Sequence, residues 1–242
     1  MIQKIIISII DLFDFWHKKK ILDFLKKNNY SNFEIFFDVG AHKGETIKLF
    51  LKNFNISYIY SFEASPINFK ILETNVLKIK KSFKNNKIIL ENFALGSQNQ
   101  KANLKQVQES SSSTLSDINE NSKYLKKKKK ILNLFSNNEY YHNIEVQVIT
   151  LNDYLITNNI KNISFLKIDT EGHELEILKG LKENLRKVRI VLFEHHFDDM
   201  INKKYTFRDI NSLLLKNNFK QIYKSKMPFR KTFEYIYINN SI

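Results

Sequence analysis

Acids and glycines recur at the ends of short apolar runs in this chain. The first case is Glu34-Ile35-Phe36-Phe37-Asp38-Val39-Gly40-Ala41-His42-Lys43-Gly44-Glu45-Thr46. The apolar run is too short for a helix and ends on Asp38, Gly40 and Gly44 bracket a loop, and residues 46–51 resume at helical period. Glycine suits a backbone that must turn sharply and approach a ligand closely. A helix starting there directs its free N–H groups at that ligand. The second case, Tyr58-Ile59-Tyr60-Ser61-Phe62-Glu63, ends on a carboxylate about 20 residues past the glycine loop. In a βαβ unit Glu63 therefore sits at the tip of the neighbouring strand, where an acid accepts hydrogen bonds from both hydroxyls of a ribose. The third, residues 163–180, reads buried strand, Asp169 and Glu171, Gly172, amphipathic helix, with Gly180 as the stop. The fourth, residues 189–196, clusters Glu194, His195 and His196 at its end.

The loop is Asp-x-Gly-x-x-x-Gly and not Gly-x-Gly-x-x-Gly. That spacing favours S-adenosylmethionine (SAM) over a dinucleotide, whose pyrophosphate would rest on the helix N-terminus. A nicotinamide-dependent oxidoreductase is disfavoured on the same ground.

The elements that must position these residues alternate along the chain. Pro66 opens a helix carrying Phe69, Leu72, Val76 and Leu77, and residues 87–95 read as a third strand ended by Gly96. Residues 102–107 alternate as a short extra strand, 110–114 form a hydroxyl-rich loop, and 145–150 alternate again before a short helix over 151–156. A helix over 206–216 and two closing strands over 219–224 and 233–239 complete the pattern. Such an order implies an α/β fold, a mostly parallel sheet covered on both faces. Ligands in such folds bind beyond the C-terminal ends of the strands, which is where Asp38, Glu63, Asp169, Glu171, Glu194 and His195 fall.

Composition sets outer bounds. The chain has 242 residues, 43% of them hydrophobic, enough for one domain with a sizeable core. It has no cysteine, which excludes disulfides and thiolate metal sites. The formal charge of +14 invites a nucleic-acid reading, but the lysines are spread along the chain as solvated surface would be. Residues 124–135 carry the run Lys126 to Lys130; the plain reading is a solvated block, the functional one contact with an anionic substrate such as a nucleotide-linked or lipid-linked sugar. The first 30 residues read as a helical extension. The apolar run at residues 5–10 is too short to span a bilayer, and no small-residue cleavage site follows it. The helix is expected to pack on the domain; the sharper alternative is peripheral membrane contact with Lys18, Lys19 and Lys20 on its polar side.

The sequence resembles the FkbM family of SAM-dependent methyltransferases. The matching pieces are Phe37-Asp38-Val39-Gly40-Ala41-His42-Lys43-Gly44, Ser61-Phe62-Glu63-Ala64-Ser65-Pro66, Ala94-Leu95-Gly96, and above all Leu166-Lys167-Ile168-Asp169-Thr170-Glu171-Gly172-His173-Glu174 followed by Leu178-Lys179-Gly180. The resemblance covers residues 36–196. It implies a Rossmann-like, seven-stranded, mostly parallel sheet with the last strand antiparallel, in a single domain over 31–242 with a variable, lysine-rich insert at about 101–143. It implies methyl transfer to a hydroxyl of a sugar, a glycan or lipid-linked saccharide, or a secondary metabolite, in the cytoplasm. On this reading Gly40 and Gly44 contact the methionine part of SAM, Asp38 orients that loop or the ammonium, Glu63 holds the ribose, and Ala94, Leu95 and Gly96 border the adenine. Asp169, Glu171 and His195 face the reaction centre, any of them a candidate base. His173 reads as structural. No metal ligand is assigned, although Asp169 with Glu194 has the oxygen chemistry of a divalent-cation site. The rivals are an RNA methyltransferase, which lacks its expected strand-four motif here, and a non-catalytic SAM-fold binding module.

Overall fold

The computed structural model describes residues 2–107, 113–131 and 140–242. Residues 110–112 of the expected hydroxyl-rich loop and 132–135 of the lysine-rich segment lie outside them. A long helix, α1 (Ile2–Lys27), precedes the alternation β1 (Asn32–Val39), α2 (Glu45–Asn53), β2 (Asn55–Phe62), α3 (Pro66–Ser82) and β3 (Lys87–Glu91). Next come β4 (Ala94–Gly96), β5 (Gln100–Val107), β6 (Asp117–Ile118), α4 (Lys123–Ile131), β7 (Tyr141–Thr150) and α5 (Leu151–Thr157). The chain ends with β8 (Ile163–Ile168), α6 (Glu174–Lys179), a 3₁₀ turn, β9 (Val188–His196), β10 (Ile201–Asn202), α7 (Phe207–Lys216), β11 (Phe219–Lys226) and β12 (Thr232–Asn239).

Seven strands form the main sheet in the order β11-β12-β9-β8-β1-β2-β3. All are parallel except β12, which runs antiparallel to both β9 and β11. The chain lays down β1, β2 and β3 outward in one direction, then returns to place β8 on the other side of β1. That reversal opens a crevice at the C-terminal ends of β1 and β8, the site where such sheets take ligands.

Both faces of the sheet are covered, which explains the nearly unbroken apolar strands. Along β1, Phe36 packs with α1, α2 and α3 on one face (Leu25, Ile47, Phe50, Leu72), while Phe37 packs with α5, α6 and α7 on the other (Tyr154, Leu178, Leu214). Ser65 caps α3 by accepting from the Asn68 N–H at 3.1 Å, with Pro66 in the first turn. A capping box between Thr206 and Asp209 starts α7.

One local expectation is corrected. Residues 87–95 are not one strand: Asn92 donates its side-chain amide to the Glu63 carbonyl at 2.8 Å, ends β3, and frees Ala94–Gly96 to pair with β7 in a second sheet ordered β4-β7-β5. Gly180 stops α6 as expected, capping it with φ −65°. It is small because a Cβ there would collide with the Gly96 carbonyl. The lysine run lies in α4, with Lys126, Lys127 and Lys130 exposed and Lys129 over the Tyr140 ring, while Leu125 just before it is fully buried against Val107, Tyr140, Met200 and Ile201.

The N-terminal helix is one continuous element whose Ile21, Leu22 and Leu25 sit in the core. Its side chains at residues 5–10 are outside those described. Among the described residues, no helix is long and apolar enough to cross a membrane. Truncating Leu25, fully buried, to Ala is expected to cost about 2–5 kcal/mol of domain stability. Urea denaturation followed by circular dichroism tests this; an unchanged midpoint would mean that α1 does not share the domain's core.

Candidate active site

The floor of the crevice is a buried ionic lattice. Asp38, at the end of β1, is fully buried and lies 3.0 Å from Lys167 Nζ on β8. The same ammonium is 3.4 Å from Asp169 Oδ2 and donates to the Gly40 carbonyl at 3.3 Å. Burial opposes the charge on Lys167, but Asp38 and Asp169 together hold its pKa above the ordinary value. The carboxyl of Asp38 is raised, because burial outweighs its ammonium partner.

This lattice brings β1 and β8 so close that the glycine becomes obligatory. Gly40 has φ +77°, and a Cβ there would collide with the Asp169 carbonyl. The Asp169 N–H donates to the Val39 carbonyl at 3.0 Å, and the Gly40 and Ala41 N–H groups converge on the Phe62 carbonyl. Gly40, Ala41 and His42 line the cavity wall. Gly44 also has positive φ, +86°, but it does not line the cavity: its missing Cβ makes room for Leu72. Its expected contact with the methionine part is corrected to a turn and packing role. Asp38 likewise lies beneath the cavity wall and orients the loop without reaching a ligand.

At the tip of β2, the carboxylate of Glu63 accepts from the His42 N–H at 2.8 Å and the Ser65 N–H at 2.9 Å. Burial nevertheless raises its pKa. The side chain of Asn68 hydrogen-bonds the same carboxylate. Beside it Ala64, Asn68, Phe93, Ala94 and Leu95 line the cavity. Gly96 does not; it is packed against Val148, His173 and Gly180, which corrects its expected place at the adenine.

The segment after β8 is held from below by Glu174. Its Oε1 accepts from the Gly172 N–H at 2.9 Å and the Thr170 hydroxyl at 3.2 Å, and its Oε2 takes the Tyr205 hydroxyl. From above, Thr114 donates to the Glu171 carbonyl at 2.6 Å and Ser116 to the Gly172 carbonyl at 2.8 Å. Glu171 adopts φ +53° in this clamp, a left-handed conformation uncommon for a non-glycine residue. His173 follows at the cavity wall, its pKa lowered by burial.

Strand alternation decides which histidine faces the cavity. Glu194 and His196 line it, and His195 does not. His195 lies among Phe197, Tyr205 and Phe207, and burial pushes its pKa down to about 3. Its assignment as a candidate base is corrected: an imidazole on the far side of the strand cannot reach the reaction. His196 Nε2 lies 3.1 Å from Glu171 Oε2 and 3.0 Å from Glu194 Oε1, while Nδ1 meets Thr232 Oγ1 at 3.1 Å and Asp198 Oδ2 at 3.3 Å. The Glu171 carboxylate, then hydrogen bonds to Asp198, Glu171 and Glu194, raise the His196 pKa well above its usual value despite burial. Glu194 is pushed up to about 7 by burial and by the charge of Asp169. The structure thus brings Asp169 and Glu171 together as expected. It seats Glu194, already expected at the strand ends, beside them, and it adds Lys167, Glu174 and His196.

Lys167, Asp169, Glu171, Glu194 and His196 open into one cavity of about 1490 Å³. Small-ligand pockets are typically about 300–1,000 Å³, so this one has room for a cofactor and a second reactant. Among the described residues, no group of three or more His, Cys, Asp or Glu side chains is arranged to hold a metal ion.

The strand order, the crevice between β1 and β8 and the acid at the tip of β2 define a class I methyltransferase fold, with SAM as its cofactor. The model of the methyltransferase FkbM domain matches residues 38–221, most of the chain, and the protein belongs to that family. A methyltransferase FkbM from Methylobacillus flagellatus KT superimposes with a TM-score of 0.54 at 14% identity, covering 84% of this chain and 43% of that one. Magnesium protoporphyrin IX methyltransferase from Synechocystis PCC 6803 with bound SAM gives 0.50 at 8% identity, covering 98% and 79%. With bound S-adenosylhomocysteine (SAH) it gives 0.51 at 7%, covering 97% and 84%. At these identities the likeness shows the fold, and the chain spans less than half of the Methylobacillus protein. No curated protein matches the chain.

Replacing Lys167 by Ala strands Asp38 in the interior and is expected to destabilise the fold by about 3–5 kcal/mol. The double variant Lys167→Met, Asp38→Asn should recover most of the loss. Chemical denaturation of the three proteins checks this, and equal losses in single and double variants would show that the lattice contributes through packing alone.

Proposed function

We propose that the protein transfers a methyl group from SAM to a hydroxyl of a sugar, a saccharide or a related polyhydroxylated metabolite. The observation that carries this reading is the Glu171–His196–Glu194 cluster, which faces the cavity that Gly40 to His42 also line. A weakly acidic hydroxyl must lose its proton as it attacks, and a carboxylate with a pKa near neutral suits that task.

The residues present fit the cofactor. The Glu63 carboxylate at the tip of β2 suits the ribose hydroxyls, and Phe93, Ala94 and Leu95 form an apolar wall beside it for the adenine. The start of α2, where Glu45 and Thr46 line the cavity and the first-turn N–H groups have no partner within the helix, suits the methionine carboxylate. When bound, SAM supplies an electrophilic methyl group on a sulfonium. The chain's own part is positioning and proton removal. Glu194 takes the acceptor's proton. His196, whose pKa is held well above its usual value, pairs with Glu171 and Glu194 and favours an ionised carboxylate between them. Asp169, anchored by Lys167, faces the same space and orients the acceptor hydroxyl. Fixing the reactants in this way contributes on the order of 7–11 kcal/mol to such reactions.

Two outcomes test the assignment. Glu63→Ala should weaken SAH binding by about tenfold or more in calorimetric titration, the loss of charged hydrogen bonds to two hydroxyls. Unchanged affinity would remove Glu63 from the cofactor site. For the chemistry, SAH release would be followed across a panel of sugars and saccharides. Because a protonated carboxyl cannot accept a proton, turnover should be low in acid and rise with pH through about 7, with Glu194 and His196 titrating as a unit. Glu194→Gln should lower kcat by about 10²–10⁴-fold and leave SAH affinity unchanged. A Glu194→Gln enzyme with the parent pH profile would move the base elsewhere.

A further inference from the structure

The cavity is electrically divided. Its inner wall carries Asp169, Glu171 and Glu194, and its outer rim carries Lys123, Lys127 and Lys128 of α4 together with Arg230 and Lys231 from the β11–β12 connection. The inner carboxylates are used by the chemistry. The rim cations are not, and the aim of α4 is built into the fold.

Ser122 caps α4 by accepting from the Leu125 N–H at 3.0 Å, and its hydroxyl donates to Asp199 at 2.7 Å. Leu125 is fully buried beneath it. With that side of the helix anchored, Lys123, Tyr124, Lys127 and Lys128 turn to the cavity together, as one helical face does. Lys127 makes no ion pair among the described residues. Across the opening, Arg230 is fixed by Asp14 of α1 at 2.7 Å, and Phe13 meets Phe229 edge to ring at 4.9 Å. Charge from Lys128 and Arg230 reaches the Glu171 carboxyl and helps lower its pKa. Rim and catalytic cluster thus share one electrostatic neighbourhood.

Lys167 and His196 already stand beside the inner carboxylates, so the rim cations are left to meet an anionic reactant. A neutral sugar would need no such rim. We propose that the α4 face and Arg230 form a subsite for the phosphoryl group of the methyl acceptor, so that the acceptor is a phosphorylated polyhydroxyl compound. Ammonium and guanidinium groups bind phosphate oxygens through charge-assisted hydrogen bonds, and the rings of Tyr124, Phe13 and Phe229 supply flat apolar faces for the carbon skeleton. This proposal rests on the methyl-transfer reading above. The phosphoryl group belongs either to a soluble sugar phosphate or to a lipid-linked saccharide.

The test uses the full chain saturated with SAH, whose binding also reports that each variant is folded. A hexose phosphate, the parent hexose, and zwitterionic vesicles with and without a polyprenyl phosphate sugar are titrated in turn. The phosphorylated ligand should bind at least about tenfold more tightly than its unphosphorylated counterpart. Lys123→Glu with Lys127→Glu should abolish that preference, Lys127→Arg should retain it, and SAH affinity should hold in both. Preference for the hexose phosphate assigns a soluble acceptor, and preference for the doped vesicles a lipid-linked one; either supports the subsite. Equal binding of phosphorylated and neutral ligands, no binding of any, or an unaltered preference in the double variant would overturn it. SAH release from neutral sugars without phosphate preference would sink the subsite alone. Phosphate preference with no methylation of any hydroxyl acceptor would sink the methyl-transfer reading and leave an anion site.

Discussion

One ammonium, Lys167 Nζ, joins the two strands on which the site is built. It lies between Asp38 at the end of β1 and Asp169 at the end of β8, and it holds the Gly40 carbonyl as well. Taking Asp38 and Lys167 out of water is costly, and the cost is offset only when their geometry is held on all sides. Here the parallel register of β1 and β8 does the holding. The close approach it enforces leaves no room for a side chain at residue 40.

Above this floor, the walls come from distant parts of the chain. The insert between β3 and β8 supplies Thr114 and Ser116, which fasten the Glu171–Gly172 segment, and α4, which forms the rim. The N-terminal helix supplies Phe13, Asp14 and Lys18 to the opening while its Ile21, Leu22 and Leu25 are anchored in the core. The segment after β9 joins the insert through the β6–β10 pairing. Helix α1 and the insert, the least family-like parts of the sequence, therefore shape the space in which an acceptor must sit.

Much of the site was legible in advance where a residue's role depends on its own strand. Asp38, Glu63, Asp169 and Glu171 each end an apolar run, and a parallel sheet places all such ends on one edge. Lys167 left a readable signal, a lone charge within Phe165-Leu166-Lys167-Ile168, since a lysine is almost never buried without partners. The choice between His195 and His196 was not readable. Adjacent strand residues point to opposite faces, and both faces of this sheet are covered, so hydrophobic pattern could not say which face held the cavity. Gly44 and Gly96 were misread for a related reason: a glycine marks a close approach without saying whether a ligand or a neighbouring side chain approaches.

The amino-acid sequence by itself determined the alternation of strands and helices, the carboxylates at the strand ends and the glycine loop, because these follow from local periodicity and backbone sterics. Tertiary structure alone decided the partners. It set Lys167 between two acids, His196 between Glu171 and Glu194, and four residues of the lysine-rich α4 on the rim of a cavity over β1 and β8. Ionic and hydrogen-bonded pairs act over a few ångströms between residues far apart in the chain, and only the closed fold brings them within that range.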